Sequence, residues 1–434
     1  MLSIAGPVIV AELGWVTMGL VDTLMVGPMG PEAIGAVGLG SSLFIAIGVF
    51  AMGLLLGLDP LVAAAFGAKR IDECHNWLVA GVWLAILATP PIVGLLFLLV
   101  ASLPYIGLPP EVLVLATPYL AIVAWSLPPL LLYVAFRRYL QAMNIVKAVT
   151  YTLIAANVLN AIVNYVLISG HFGAPALGVR GAAYATLLSR VAMAGALFFV
   201  ILRREAHTVP PLSQTPFALD LVRVGRLVRL GLPAGAQMLL EVGVFALSTA
   251  LAGRVSATSL AAHQIAINLA ALTFMIPLGL SSAAAVRVGQ ALGRDDPRSA
   301  VSAGWIAIAL GVSFMAGAAL VFLSMPALLI KSFSDDVNVI DLGVRLLFVA
   351  AVFQLFDGLQ GVTTGALRGL SDTHTAMLWN LGGHWFVGLP LGYLLCFHWG
   401  YGVVGLWWGL SVGLVICGLS LVTVWWRKSH HLLR

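Results

Sequence analysis

The sequence predicts an all-α integral membrane protein of twelve transmembrane helices, arranged as two parallel, pseudo-symmetric six-helix lobes around a central cleft. Three observations predict it: an apolar excess that no soluble core could hide, twelve apolar runs of spanning length, and an internal repeat. Of 434 residues, 61% are hydrophobic and 9% are charged, against roughly 45–50% and about 25% in a soluble domain. Crossing ~30 Å of hydrocarbon takes about twenty apolar residues per helix, so twelve spans consume more than half the chain.

The runs fall at 4–27, 33–58, 78–101, 112–135, 149–169, 181–202, 230–252, 259–282, 302–330, 344–367, 376–398 and 402–426. The second extends toward Phe66, because Asp59-Pro60 is the only interruption before Lys69-Arg70. The stretch from Ser3 to Val26 is too long and too polar for a cleaved signal peptide and reads as a retained first helix. Cytoplasmic loops carry the excess of Lys and Arg. With both termini in the cytoplasm, seventeen of the 22 fall inside and Arg180, Arg254, Lys331 and Arg345 outside, while Arg190 lies within a span. The net charge of +5 is thus a topological signal, and nucleic acid is excluded as a partner.

At an offset of 226 residues Pro7 aligns with Pro233, Gly27 with Gly253, Gly53 with Gly279 and Gly67 with Gly293, and Leu13 with Leu239 in the same register. Each half also opens its sixth helix with a Gly-x-x-Gly, Gly178/Gly181 and Gly402/Gly405. The expected lobes are 1–207 and 208–434, joined by the loop 203–229. Six is even, so both lobes point the same way and the repeat is parallel, about an axis along the membrane normal.

A carboxylate near the middle of a span costs about 2.5–3.5 kcal/mol on insertion scales and persists only where something offsets it. Glu12 and Asp22 in the first run, Glu241 in the seventh and Asp357 in the tenth stand out, while Asp59 lies nearer the cytoplasmic end. At the repeat offset Asp22 meets Ser248, Glu241 meets Trp15 and Asp357 meets Leu130. The acids are not copies of one another, which favours function over scaffolding. A buried carboxyl can take up a proton near neutral pH or, with other oxygens around it, hold a hard cation such as Na+. Both remain open here. Asn157, Asn160 and Asn164 share one face of the fifth run, where interhelical hydrogen bonding is the simpler duty. Gln264, Asn268, Gln354, Gln360, Asn380 and His384 are further polar candidates, and Met275, Phe353 and Trp379 are among residues that could line an adaptable apolar cavity. His263 and His384 read as hydrogen-bonded core residues.

An enzyme is not expected: there is no phosphate-binding glycine loop followed by Lys, no HExxH, and no nucleophile with His and acid in one loop. Cys74, Cys396 and Cys417 form no CxxC pair. No cofactor is implied beyond a coupling ion, Na+ or H+.

These residues together resemble the multidrug and toxic compound extrusion (MATE) transporters, in the NorM-like bacterial branch. The carrying stretches are Gly19-Leu-Val-Asp-Thr-Leu-Met-Val-Gly27, Asn160-Ala-Ile-Val-Asn164 with Phe172-Gly-Ala-Pro175, and Glu241-Val. Ala261-Ala-His-Gln-Ile-Ala-Ile-Asn268, Arg287-Val-Gly289 and the stretch from Asp357 to Leu367-Arg-Gly369 complete them. The resemblance spans nearly the whole chain and implies a monomeric antiporter that expels cationic amphipathic compounds in exchange for Na+ or H+. It implies that Glu241 and Asp357 are the cation-site carboxylates of the C-terminal lobe, able to hold a metal ion, and that Asp22, Asn160 and Asn164 form the polar site of the N-terminal lobe. Asp22, Asp357, Gln264, Asn268, Met275, Phe353 and Trp379 are the expected substrate contacts. Relatives of this branch carry a tyrosine where this chain has Phe353, which removes a hydroxyl ligand, weakens the case for Na+ in the C-terminal lobe and leaves H+ coupling at Asp22, with Asn160 and Asn164, more open. The rival readings are a lipid-linked precursor flippase, which calls for a more basic cleft, and a polytopic lipid-modifying enzyme, which calls for a polar catalytic cluster at one membrane face.

Overall fold

The computed structural model describes every residue except Ile106, Leu108 and His207, and all side chains of the rest but that of Leu2. The described residues are helical nearly throughout and contain no strand. They form two compact units, Val10–Gly235 and Met1–Ile9 with Ala236–Arg434.

The first half of the chain runs α1 (Leu2–Val26), α2 (Pro31–Leu54), α3 (Leu58–Gly67), α4 (Ile71–Ser102), α5 (Pro110–Ala124), α6 (Leu127–Ala142), α7 (Val146–Ser169) and α8 (Val179–Glu205). Proline explains its two breaks. A proline ring clashes with the carbonyl four residues back and offers no N–H. Pro60 therefore interrupts the helix near Leu56, where a short tight turn, Leu55–Gly57, separates α2 from α3. Pro128 and Pro129 likewise end α5, and α6 leaves it at a 44° bend centred on Trp125-Ser126.

The second half runs α9 (Leu221–Val255), α10 (Ala257–Gly293), α11 (Pro297–Ser324), α12 (Pro326–Lys331), α13 (Val337–Gly369), α14 (His374–Asn380), α15 (Leu389–Tyr393) and α16 (Gly402–Leu432). The stretches that answer the two breaks are continuous here, α10 over 37 residues and α13 over 33. The expected run 302–330 is instead split: Met325 precedes Pro326, which disfavours helical backbone at that position, and its φ of −132° and ψ of 38° end α11.

Each expected run coincides with a helical stretch, but not all are plain helices. Among the described residues ten helical segments are long and apolar enough to span a membrane, and the bent α5–α6 pair makes an eleventh. The remaining run, 376–398, is helical without a gap yet widens into π turns over Leu381–Gly388 and Leu394–His398. Its glycines let it touch α16 backbone to backbone. A Cβ on Gly409 would stand 2.2 Å from the Gly392 Cα, the close approach that small residues permit between membrane helices.

In the Val10–Gly235 unit the core is built on Leu127, Leu130 and Leu131, with Tyr119, Tyr133 and Tyr139 fully enclosed. In the other unit Leu346, Leu347, Ala350 and Phe353 of α13 pack with Ala262 and Ala266 of α10 and Leu406 and Trp407 of α16.

Gly409→Ala is expected to lower the stability of the purified protein by about 1–3 kcal/mol, as overpacking does. Gly195→Ala, in an open position on α8, is expected to leave stability equal or raised by up to roughly 1 kcal/mol. Thermal melting in detergent of the two variants compares them directly.

Candidate cation and substrate sites

In the Val10–Gly235 unit α1 supplies Asp22, α7 supplies Asn160 and Asn164 one turn apart, and α8 supplies Thr186. All are buried, Asn160 and Asn164 completely. Asn164 Nδ2 donates to Asp22 Oδ1 at 2.7 Å and to Asn160 Oδ1 at 3.1 Å, and Thr186 Oγ1 donates to Asp22 Oδ2 at 2.8 Å. Both oxygens of Asp22 are thus held by uncharged donors. Asn157, on the same face of α7, does something different: its Nδ2 donates to the Gly14 carbonyl at 3.0 Å and the Leu153 carbonyl at 2.9 Å, tying α7 to α1.

Arg190, four residues beyond Thr186 on α8, borders this cluster. Arg190 Nη1 donates to the Ser126 hydroxyl at 2.5 Å. Its guanidinium lies 4.4 Å from the Phe44 ring centre and 5.7 Å from that of Trp15. Tyr119 and Ser41 share a hydrogen bond at 3.0 Å. Thr186 is the ligand that the sequence reading missed. Its signal was its place four residues before the one arginine found inside a span.

The other buried acids of this unit are paired with basic side chains. Glu12 pairs with Arg137, Asp59 pairs with Arg138 at 3.4 Å, and Glu205 meets His75 at 3.0 Å with both side chains fully enclosed. Each joins helices far apart in sequence.

In the other unit α9 presents Glu241 and α13 presents Asp357. Trp385 in the first π stretch donates Nε1–H to the carbonyl of Leu240, at 3.0 Å, and so pins α9 beside Glu241. Asp357 is buried and Glu241 half-buried, and Asp357 lies within reach of the Glu241 charge. Neither carboxylate meets a hydrogen-bond donor or a cation among the described residues. Gln354 and Gln360 flank Asp357 at one turn either way, and the side-chain oxygens of both, with that of Asn380, are buried without a partner. Gln354 Nε2 donates to Thr273 Oγ1 at 2.6 Å. No group of three or more His, Cys, Asp or Glu that could hold a metal ion occurs among the described residues.

Phe353 lies in an aromatic cluster, edge-on to Phe245 with ring centres 6.1 Å apart and 5.9 Å from Trp407. His263 is held on both sides. Trp407 Nε1, a donor only, points at His263 Nδ1 at 3.0 Å, so the imidazole is neutral and its Nε2–H donates to Thr249 Oγ1 at 2.9 Å. His384 faces the Cys417 sulfur, which donates to the Trp379 carbonyl. Gln264 and Asn268 face each other along α10 at 3.5 Å. Met275 is half-buried, and Trp379 is exposed.

Two halves that repeat in register and carry acids inside their apolar helices have the form of a membrane transporter. The MatE family model matches twice, at residues 7–166 and 233–394. The two matches begin at Pro7 and Pro233, in the register of the internal repeat. The chain belongs to the MatE family of transporters. It is 38% identical over 436 residues to the probable multidrug resistance protein NorM of Mesorhizobium japonicum, covering 99% of this chain and 93% of that one. A protein of the same name from Brucella suis is 36% identical, covering 98% and 92%. The fold matches the crystal structure of the eukaryotic MATE transporter AtDTX14 with a TM-score of 0.89 at 20% identity, covering 99% of this chain and 97% of that one.

The two classes of acid differ in their effect on stability. Glu12→Leu leaves Arg137 as a buried unpaired charge and is expected to cost about 3–5 kcal/mol, much of it recovered by adding Arg137→Leu. Glu241→Gln and Asp357→Asn remove charges that no protein group offsets and are expected to leave the melting temperature equal or raised. A drop in both would show partners that the geometry lacks.

Proposed function

We propose that the chain is a secondary multidrug efflux antiporter of a bacterial inner membrane, with both termini in the cytoplasm, acting as a monomer. It exports cationic amphipathic compounds in exchange for H+ or Na+. The observation that carries this reading is the pair Glu241 and Asp357, two carboxylates inside the membrane with no partner of opposite charge. Such groups mark ion and substrate pathways. The names of the relatives support efflux of drugs, and the unpartnered amide oxygens of Gln354, Gln360 and Asn380 supply the acceptors that a cation needs.

The mechanism is competition. An ionised carboxylate in low dielectric attracts an organic cation strongly, and the rings of Phe245, Phe353 and Trp407 provide faces for cation–π attraction. A proton or Na+ on the carboxylates removes that attraction. Exchange follows when two arrangements of the protein differ in their affinity for the two cations. Asp22, whose oxygens are already held by Asn164 and Thr186, is a substrate contact of the other unit rather than the holder of the coupling cation.

A charge-assisted contact worth about 1.5–3 kcal/mol corresponds to roughly ten- to a hundredfold in affinity. Efflux of a fluorescent organic cation from cells is expected to fall by that order in Glu241→Gln and Asp357→Asn, and to fall in Asp22→Asn. Unimpaired efflux in all three sinks the mechanism. Substrate release from reconstituted vesicles under an imposed pH gradient and, separately, an imposed Na+ gradient identifies the ion.

A further inference from the structure

The last turns of α16 carry Trp425 and Trp426, then Arg427, Lys428, His430, His431 and Arg434. This helix end is held in place. Trp425 is fully enclosed and its ring fills the space where Gly304 of α11 lacks a Cβ, while Lys428 Nζ donates to Asp372 at 2.5 Å. Lys428 is thereby neutralised. Arg427, His430, His431 and Arg434 stand at i, i+3, i+4 and i+7, on one exposed face of the helix. With Trp426 they line a hollow of about 320 Å³ that has no carboxylate among its described lining residues. Trp426 meets the His430 ring edge-on, with ring centres 4.8 Å apart, and so fixes one wall.

Basic residues at the end of a span are expected from topology alone, and a helix C-terminus favours them through its roughly half negative charge. Two guanidinium charges exceed that several times over. The hollow of the other unit shows the contrast: Arg223 in it meets Glu73 at 3.0 Å and Asp220 at 2.7 Å, so its charge is answered by the protein.

The rest of α16 sets the depth of the unanswered charges. Trp408, Val412, Leu419 and Trp426 are exposed and recur at spacings of four, seven and seven, one stripe along the helix. Trp408 and Trp426 are eighteen residues apart, about 27 Å along the axis, close to the ~30 Å of a hydrocarbon core. Tryptophan gathers at the two faces of that core. The hollow beside Trp426 therefore lies at the headgroup level of one leaflet, the cytoplasmic one on the reading above, with an apolar stripe beneath it.

We propose that the end of α16 binds an anionic phospholipid, its phosphate among Arg427, His430, His431 and Arg434 and its acyl chains against Trp426 and Leu419. Guanidinium forks match phosphate oxygens, and a zwitterionic headgroup would bring an ammonium against the same arginines. The site uses none of the acids invoked for transport, so it stands or falls independently of the antiporter reading.

The test is native mass spectrometry of the full-length protein, purified in detergent and incubated with phosphatidylglycerol or with phosphatidylcholine of the same chains. Wild type is expected to retain one phosphatidylglycerol with roughly tenfold preference over phosphatidylcholine. Arg427→Gln combined with Arg434→Gln is expected to lose most of that preference, and Arg427→Gln alone carries the test where the double variant does not fold. Arg294→Gln combined with Arg298→Gln makes the same charge change at exposed positions of the turn between α10 and α11 and is expected to keep the preference. Equal retention of the two lipids by wild type, an undiminished preference without Arg427 and Arg434, or an equal loss in both double variants overturns the proposal. Displacement of the bound lipid by excess inorganic phosphate overturns it too, because the site then recognises a free anion and not a lipid.

Discussion

Hydrocarbon offers no hydrogen bonds, and that one constraint organises this molecule. Every polar group carried into a span must find its partner in the protein, or it waits for one that arrives with the cargo. Most find it. Asp22 is saturated by Asn164 and Thr186, Glu12 by Arg137, Glu205 by His75, and His263 is fixed between Trp407 and Thr249. Among the described residues, Glu241 and Asp357 of the C-terminal unit remain as buried or half-buried acids with no partner of opposite charge. The acids of the two units thus differ in how far the protein itself satisfies them.

That difference arises from substitutions on a repeat rather than from a new architecture. Prolines at positions 60, 128 and 129 break the helices of the first half, while α10 and α13 run unbroken through the answering stretches. The second half is instead loosened at Leu381–Gly388 and Leu394–His398, where π turns put Trp385 within reach of the Leu240 carbonyl. In both halves an irregular stretch lies against the charged group: Ser126 at the bend beside Arg190, and the π stretch that pins α9 beside Glu241. Broken and widened helices are where membrane transporters form their ligand sites, because only there does the backbone depart from self-sufficient hydrogen bonding.

The sequence made the spans and the repeat legible because both depend on local patterns, hydropathy over about twenty residues and glycine and proline landmarks in fixed register. The acids were legible as anomalies, but their roles were not. Glu12 and Asp357 are alike on paper, both carboxylates in apolar runs. What separates them is Arg137, 125 residues from Glu12 in the chain, and no periodicity reports a pairing at that distance. Asn157 shares its face with Asn160 and Asn164, yet a small rotation turns its amide onto the Gly14 carbonyl. Thr186 looks like an ordinary small residue in an apolar span until Asp22 stands opposite it. The eleventh run showed its apolar length but not its π turns, whose Gly383 and Gly388 pack against the backbone of Gly413 in α16, far along the chain.

The central claim is that the uncompensated carboxylates of the C-terminal unit, rather than the saturated Asp22, are where the coupling cation is held. The most direct measurement is the cation stoichiometry of the purified, substrate-free protein, taken as proton uptake with an indicator dye and as radiotracer sodium binding. Wild type and Asp22→Asn are expected to take up the same number of cations, and Glu241→Gln and Asp357→Asn fewer. Unchanged uptake in both of those variants, with loss in Asp22→Asn, would contradict the account.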